Sequence, residues 1–290
     1  MCLNEKKDAI MKILEQFIAP KTGRESDCED GYVLTDYFAA VVDGATSKHM
    51  QAVNNATPGR TAMLLICRGI ESLDQDVSAR EAFKKLDHAI YAWYQQQGTS
   101  DVMKDAPSRR CSASAVVYSR MRRELWFIGD CQGMVDGHLV SPRWRIDEVM
   151  ANLRSLLIHT ELAQGVTEAQ LLEHDTSRVY ISDLLKRQMY LQNRVCTSEY
   201  NYYVLDGFLP YDEERAVQVV AVPGDAAELV LSSDGYPAIY PTLDETERAL
   251  ARLLEEDPLC YRVFKSTKGK YQGLDSYDDR CFLHLDIAAI

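Results

Sequence analysis

The sequence predicts an α+β protein in which short buried strands, some joined as antiparallel hairpins, carry amphipathic helices packed against them. Three observations support this. Apolar runs that close on glycine recur, at Ala39 to Gly44, Leu125 to Gly129 and Glu228 to Gly235; runs of about four to six such residues read as buried strands. Two segments, 58–72 and 79–97, space their apolar residues for one helical face. The 290 residues are 46% hydrophobic, enough for a sizeable core. The whole chain, 1–290, is expected to form a single unit.

Taken in order, residues 9–19 fit a helix or a strand equally well, because their apolar spacing decides for neither. Residues 21–27 are loop-like. Tyr32-Val33-Leu34 and Phe38 to Val42 flank a turn near Thr35-Asp36, and so form an antiparallel hairpin. Pro58-Gly59-Arg60 opens a helix with Met63, Leu64, Ile66, Cys67 and Ile70 on one face. The next helix turns Ala82, Phe83, Leu86, Ala89, Ile90 and Trp93 inward. Residues 112–118 and 124–128 are a second hairpin around the basic tip 120–123, and a further strand ends at Asp136-Gly137. Between about 141 and 200 the texture becomes helical, at 147–163 and 179–194. This is a helical insertion of the kind that serves as a lid or recognition element, and a packed structural role fits it as well. Strands return at 202–205, 216–222 and 228–232. A helix over 244–255 follows, with Thr242 as its N-cap, and residues 281–287 alternate as a last strand.

Acidic residues mark the ends of these strands. The first hairpin places Glu29 and Asp30 at its start and Asp43 at its end, so all three can face one site. Asp130 and Asp234 close other strands, and Asp279 precedes the last one. An Asp at the end of a buried strand lies on the sheet's rim. Clustered carboxylates repel unless protons or cations hold them, and oxygen-only donors suit hard divalent metals. An EF-hand is excluded: counted from Asp27, its glycine and glutamate positions fall on Tyr32 and Phe38.

The net charge of −12 argues against a nucleic-acid or anionic-membrane partner. The eight cysteines are scattered, with no C-x-x-C pair, which argues against zinc and for free thiols in a reducing cytoplasm. The polar start lacks a signal-peptide core, and no run reaches the roughly 20 apolar residues of a membrane span. A cytoplasmic location is therefore expected. Oligomeric state leaves no mark in the sequence.

In order and spacing, Glu29-Asp30, Asp43-Gly44, Gly129-Asp130, Ser233-Asp234-Gly235 and Asp279 resemble the type 2C metal-dependent protein phosphatases, the PPM family. The resemblance covers roughly residues 14–287. It implies a four-layer α-β-β-α sandwich, two antiparallel sheets flanked by helices, with the insertion at 141–200 in the place of the family's variable flap. It also implies two Mn²⁺ or Mg²⁺ ions, with a third, weaker position at Asp130. Asp43 would bridge the pair and the Gly44 carbonyl would coordinate one ion. Asp30 or Glu29 would hold the second metal, and Asp234 and Asp279 the first, with Asp278 as the competitor of Asp279. Arg24 would clamp the phosphate. The implied activity is hydrolysis of phosphoserine and phosphothreonine in phosphoprotein substrates by a metal-activated water. The chain departs from the family pattern at Ala45-Thr46-Ser47, where a histidine or methionine and two glycines are usual, and at Asp279-Arg280, where Asp-Asn is usual. His49 lies nearby as a loop histidine, and Arg280 could pair with phosphate or face solvent. The altered loop favours an alternative, a phosphatase-like regulatory or binding module. Hydrolysis of a small phosphorylated metabolite is a third.

Overall fold

The computed structural model describes residues 11–45, 56–196, 198–211 and 214–288. Its strands are β1 (Lys12–Ala19), β2 (Asp30–Leu34), β3 (Phe38–Ala45), β4 (Ser112–Ser119), β5 (Glu124–Ile128), β6 (Gln132–Val135), β7 (His138–Val140), β8 (Gln218–Ala221), β9 (Glu228–Ser232) and β10 (Arg280–Asp286). Its α-helices are α1 (Pro58–Glu71), α2 (Ala79–Gln96), α3 (Ser100–Asp105), α4 (Arg145–Ala163), α5 (Glu168–Glu173), α6 (Thr176–Gln188) and α7 (Leu243–Glu256). Two five-stranded sheets form, in the orders β1-β10-β9-β6-β7 and β2-β3-β4-β5-β8. Every strand pair is antiparallel.

Three apolar layers hold this together. Val41, Val116, Phe127, Leu231, Leu283 and Leu285 fill the space between the sheets. The other face of the β2-to-β8 sheet, including Trp126 and Val117, packs under Ile66 of α1 and Phe83, Leu86 and Ile90 of α2. The outer face of the second sheet, through Met134, Val230 and Phe282, takes Leu250 and Leu254 of α7. The result is the expected α-β-β-α sandwich. Each sheet is covered on both faces, so its central strands are buried throughout and do not alternate. β4 and nearly all of β10 are examples.

Local chemistry sets the helix starts. Thr57 accepts the Arg60 N–H ahead of Pro58, Ser78 and Glu81 form a capping box, and Thr242 accepts the Glu245 N–H; each satisfies donors that the first turn leaves open. In α2 the fully buried aromatics are Phe83 and Tyr94, and Trp93, expected inward, is only partly covered.

The ambiguous N-terminal segment is a strand. β1 pairs with β10, and its residues alternate between exposed and half-buried, the period-2 pattern of one covered face. The strand expected at 202–205 is absent. This stretch makes only single bridges, Leu205 to Ala113 and Tyr202 to Gln192, and side chains take over its backbone pairing. Asn193 bonds both the N–H and the carbonyl of Val204, and Asp87 accepts the N–H groups of Asp206, Gly207 and Leu209. The second helix of the insertion begins and ends earlier than expected, at Thr176–Gln188, capped by Asp175. The loop residues Thr46, Ser47 and His49 lie outside the described residues.

Candidate metal centre

The backbone brings the acidic residues to one rim shared by both sheets. Asp30 and Asp43 are direct cross-strand partners on β2 and β3, and Asp43 is in turn opposite Ser114 on β4. Asp234 follows β9, and Asp278 and Asp279 precede β10, in the facing sheet. The two halves touch: the Asp234 N–H donates to Asp43 Oδ2 at 3.4 Å.

Asp130 reaches the rim through a crossover. The chain leaves one sheet at the end of β5 and enters the other at β6, turning at Gly129 with φ of +83°. A Cβ there would stand 2.0 Å from Ser114 Oγ, so only glycine fits. The same Ser114 hydroxyl donates to Asp130 Oδ1 at 2.6 Å. Gly44 is needed for a different reason. A Cβ on it would lie 2.3 Å from the Gly59 carbonyl oxygen and 2.7 Å from that of Glu29. Strand β3 can therefore pass close beneath the start of α1 only without a side chain.

Electrostatics separates residues that look alike in the sequence. Asp30 is 2% exposed, and its Oδ2 has no hydrogen-bond partner. Burial above all, then the charges of Asp278, Asp279 and Asp234, push its carboxyl well above the usual range, against a hydrogen bond from Ser233. Asp43 and Asp234 are also raised: Asp43 by burial and then by Asp30, Asp130 and Asp278, against a hydrogen bond with Asp234, and Asp234 by burial and then by Asp43, Asp130 and Asp278, against Lys268. Glu29 is engaged at the start of α1: Thr57, its N-cap, donates to Glu29 Oε1 at 2.5 Å, a favourable place for an anion at a helix N-terminus.

The late pair divides its work. Asp279 binds backbone, accepting the Lys21 N–H at 2.8 Å and the Glu29 N–H at 3.1 Å. Asp278 faces the cluster and holds two lysines. Lys21 Nζ lies 2.9 Å from its Oδ1, and Lys268 Nζ contacts its Oδ2. Burial works against its charge, yet Lys268 and Lys21 bring Asp278 down to about 2. Burial likewise opposes the Lys268 ammonium, yet Asp278 and Asp234 hold its pKa above the ordinary value.

Arg24, the expected phosphate clamp, and Arg280, left open between phosphate and solvent, both pair with carboxylates outside the cluster. Arg24 pairs with Asp27 at 2.6 Å, and its side chain is 75% exposed. Arg280 neither faces solvent nor reaches the cluster; it pairs with Glu247 at 3.3 Å and lies over the Phe17 ring, on the outer face of its sheet. Lys21 and Lys268 were not singled out from the sequence, because lysines in loops carry no motif, and Asp278 stood there only as the competitor of the preferred Asp279.

The donors suit a hard divalent cation. They are all oxygens, they carry more negative charge than two lysines balance, and one of them, Asp30 Oδ2, is buried without a partner. Among the described residues no three of these side chains already stand in coordination geometry; the carboxyls pair instead with each other and with the lysines. The seven described cysteines are free thiols and take no part.

No protein-family model matches the chain, and no curated protein does. Solved structures similar to it include the serine/threonine phosphatase PstP/Ppp of Mycobacterium tuberculosis, at 15% identity over 96% of this chain and 99% of that one, with a TM-score of 0.46. The catalytic domain of serine threonine protein phosphatase PstP, in complex with two manganese ions, is 16% identical over 96% and 98%, with a TM-score of 0.47. The serine/threonine phosphatase Stp1 from Staphylococcus aureus is 13% identical over 96% of each chain, with a TM-score of 0.46. These are distant likenesses, and the fold and rim described above stand on this chain's own residues.

Proposed function

We propose that this chain is a metal-dependent phosphomonoester hydrolase, acting on phosphoserine and phosphothreonine in phosphoproteins. The observation that supports this reading is the convergence of Asp30, Asp43, Asp234 and Asp278 on one rim from two sheets. Those four side chains, with the Gly44 carbonyl beside them, would hold two Mn²⁺ or Mg²⁺ ions, and Asp130 borders a third position. When bound, such a pair acidifies a water and neutralises charge on phosphoryl oxygens. Asp43, at the junction of the sheets, would serve both ions. We assign Asp278 the role that the sequence had suggested for Asp279, because the donors on Asp279 include two backbone N–H groups fixed in place, whereas those on Asp278 include two movable lysine side chains. Glu29 braces the start of α1. Arg24 would have to leave Asp27 to meet a phosphate.

We further read the chain as one catalytic unit, with the helices between β7 and β8 as its substrate-facing insertion. The test is hydrolysis of an aryl phosphate and of a phosphothreonine peptide with Mn²⁺, with and without a chelator. Activity with Mn²⁺ that a chelator abolishes, and that Asp43→Asn lowers by about 10²-fold or more, is the expected result. Activity that survives Asp43→Asn would refute the assignment. Mn²⁺ binding without turnover of either substrate would favour a binding module.

A further inference from the structure

Lys268 sits on the loop between α7 and β10, and its ammonium contacts Asp278 Oδ2. Its side chain is 32% exposed and that of Asp278 is 9% exposed, so the lysine stands at the mouth of the cluster with the carboxylate beneath it. A solvated lysine would not be held there, but this loop is tied down from the insertion. The fully buried Arg154 of α4 donates to the carbonyls of Leu259 at 2.7 Å and Ser266 at 3.0 Å while pairing with Asp175 at 2.6 Å. Ser155 Oγ donates to the Tyr261 carbonyl at 2.7 Å, and the Gln272 N–H donates to the Leu172 carbonyl at 3.0 Å. Gly269 lets the chain pass Arg154: a Cβ there would lie 3.0 Å from Nη2.

Asp278 accepts on both oxygens. Its Oδ1 takes Lys21 Nζ and the Asp279 N–H at 3.0 Å, and its Oδ2 takes Lys268. The free lone pair is on Oδ2, so a divalent ion that ligates it meets the Lys268 ammonium at close range. The side chain at the mouth can move, whereas the backbone N–H cannot.

We propose that Lys268 is a resident cation of the rim, which competes with a divalent metal for Asp278 and is held there by the insertion through Arg154. The proposal rests on reading the cluster as a metal centre. It assigns the insertion a second task, setting how readily the centre loads.

The test is calorimetric titration of the full chain with MnCl₂. Lys268→Met is expected to bind Mn²⁺ about tenfold more tightly, or to take up one more ion per chain, the size of effect that groups supporting a ligand usually have. Lys268→Arg, which keeps the charge, should stay near wild type. So should Lys270→Met, which removes a nearby charge that does not touch Asp278. Equal affinity in wild type and Lys268→Met overturns the competition and leaves the metal centre standing. No Mn²⁺ uptake by either chain overturns both. Wild type supplies a second readout that no folding defect can obscure. Acetylation of Lys268, followed by mass spectrometry, should rise about twofold or more when saturating Mn²⁺ displaces the side chain, and labelling that Mn²⁺ leaves unchanged overturns the proposal.

Discussion

Asp278 and Asp279 are chain neighbours with different main partners: the first holds the ammonium groups of Lys21 and Lys268, and the second holds the backbone N–H groups of Lys21 and Glu29, with the Lys21 ammonium farther off at 3.5 Å. The two asparagine variants should therefore differ in kind. Asp278→Asn is expected to lower Mn²⁺-dependent hydrolysis by about 10²–10³-fold, the usual loss when a charge-stabilising group is removed. Asp279→Asn keeps one acceptor and loses the other. It should cost about 1–3 kcal/mol of stability for the N–H left unmet, with a much smaller effect on turnover. Steady-state kinetics and thermal denaturation of both variants check this, and the opposite ranking would return the ligand role to Asp279.

Gly129 carries a steric prediction. Gly129→Ala must adopt a positive φ and push into Ser114, which positions Asp130. A loss of about 2–4 kcal/mol is expected from the strained backbone and the overpacking together. Urea denaturation measures it, and a neutral result would mean that the crossover between sheets can relax.

Asp87 carries the pH prediction. Burial first, and then the charge of Asp206, push its carboxyl up to about 7, while Arg110 pairs with Asp206 at 2.9 Å. In the unfolded chain the group titrates near 3.8. The folded pKa is the higher one, so the stability it contributes is fully present below about 3.8 and is lost as pH rises through about 7. Thermal melts between about pH 5 and about pH 8 should show Tm falling with pH. Asp87→Asn should flatten that slope, and should lower Tm throughout, because an amide cannot accept all three backbone N–H groups from residues 206, 207 and 209. A variant with the wild-type slope would place the titration elsewhere.

Arg154 tests the link between the insertion and the loop. Removing one partner of a buried ion pair costs about 3–5 kcal/mol, so Arg154→Met should be destabilised by that order in urea. Hydrogen exchange should show residues 258–272 losing protection before the sheets do. Uniform loss across the molecule would mean that the insertion and the sheets unfold as one.

Much of this was legible in the sequence. Apolar runs ending in Asp-Gly marked β3 and β9 because a buried strand must end where its polar residue meets the rim, and the helical spacing of α1 and α2 showed which faces they bury. The segment that became β1 was ambiguous because its character comes from pairing with β10, a partner 250 or more residues away. The missing strand at 202–205 was illegible for a similar reason: Asn193 and Asp87 satisfy its backbone, and nothing local says so. Asp30 and Asp43 could be placed together from a hairpin alone. Lys268 could not, since Arg154 and the loop fold bring it to Asp278.

The straddling of two sheets by one acidic rim has a mechanical consequence. A cation held by Asp43 on one side and Asp234 on the other would act as a rivet between layers that, away from this rim, meet through interchangeable apolar contacts. Any sliding of one layer over the other would then register at once as a change in grip on the ion, so loading and rigidity of the sandwich should rise and fall together.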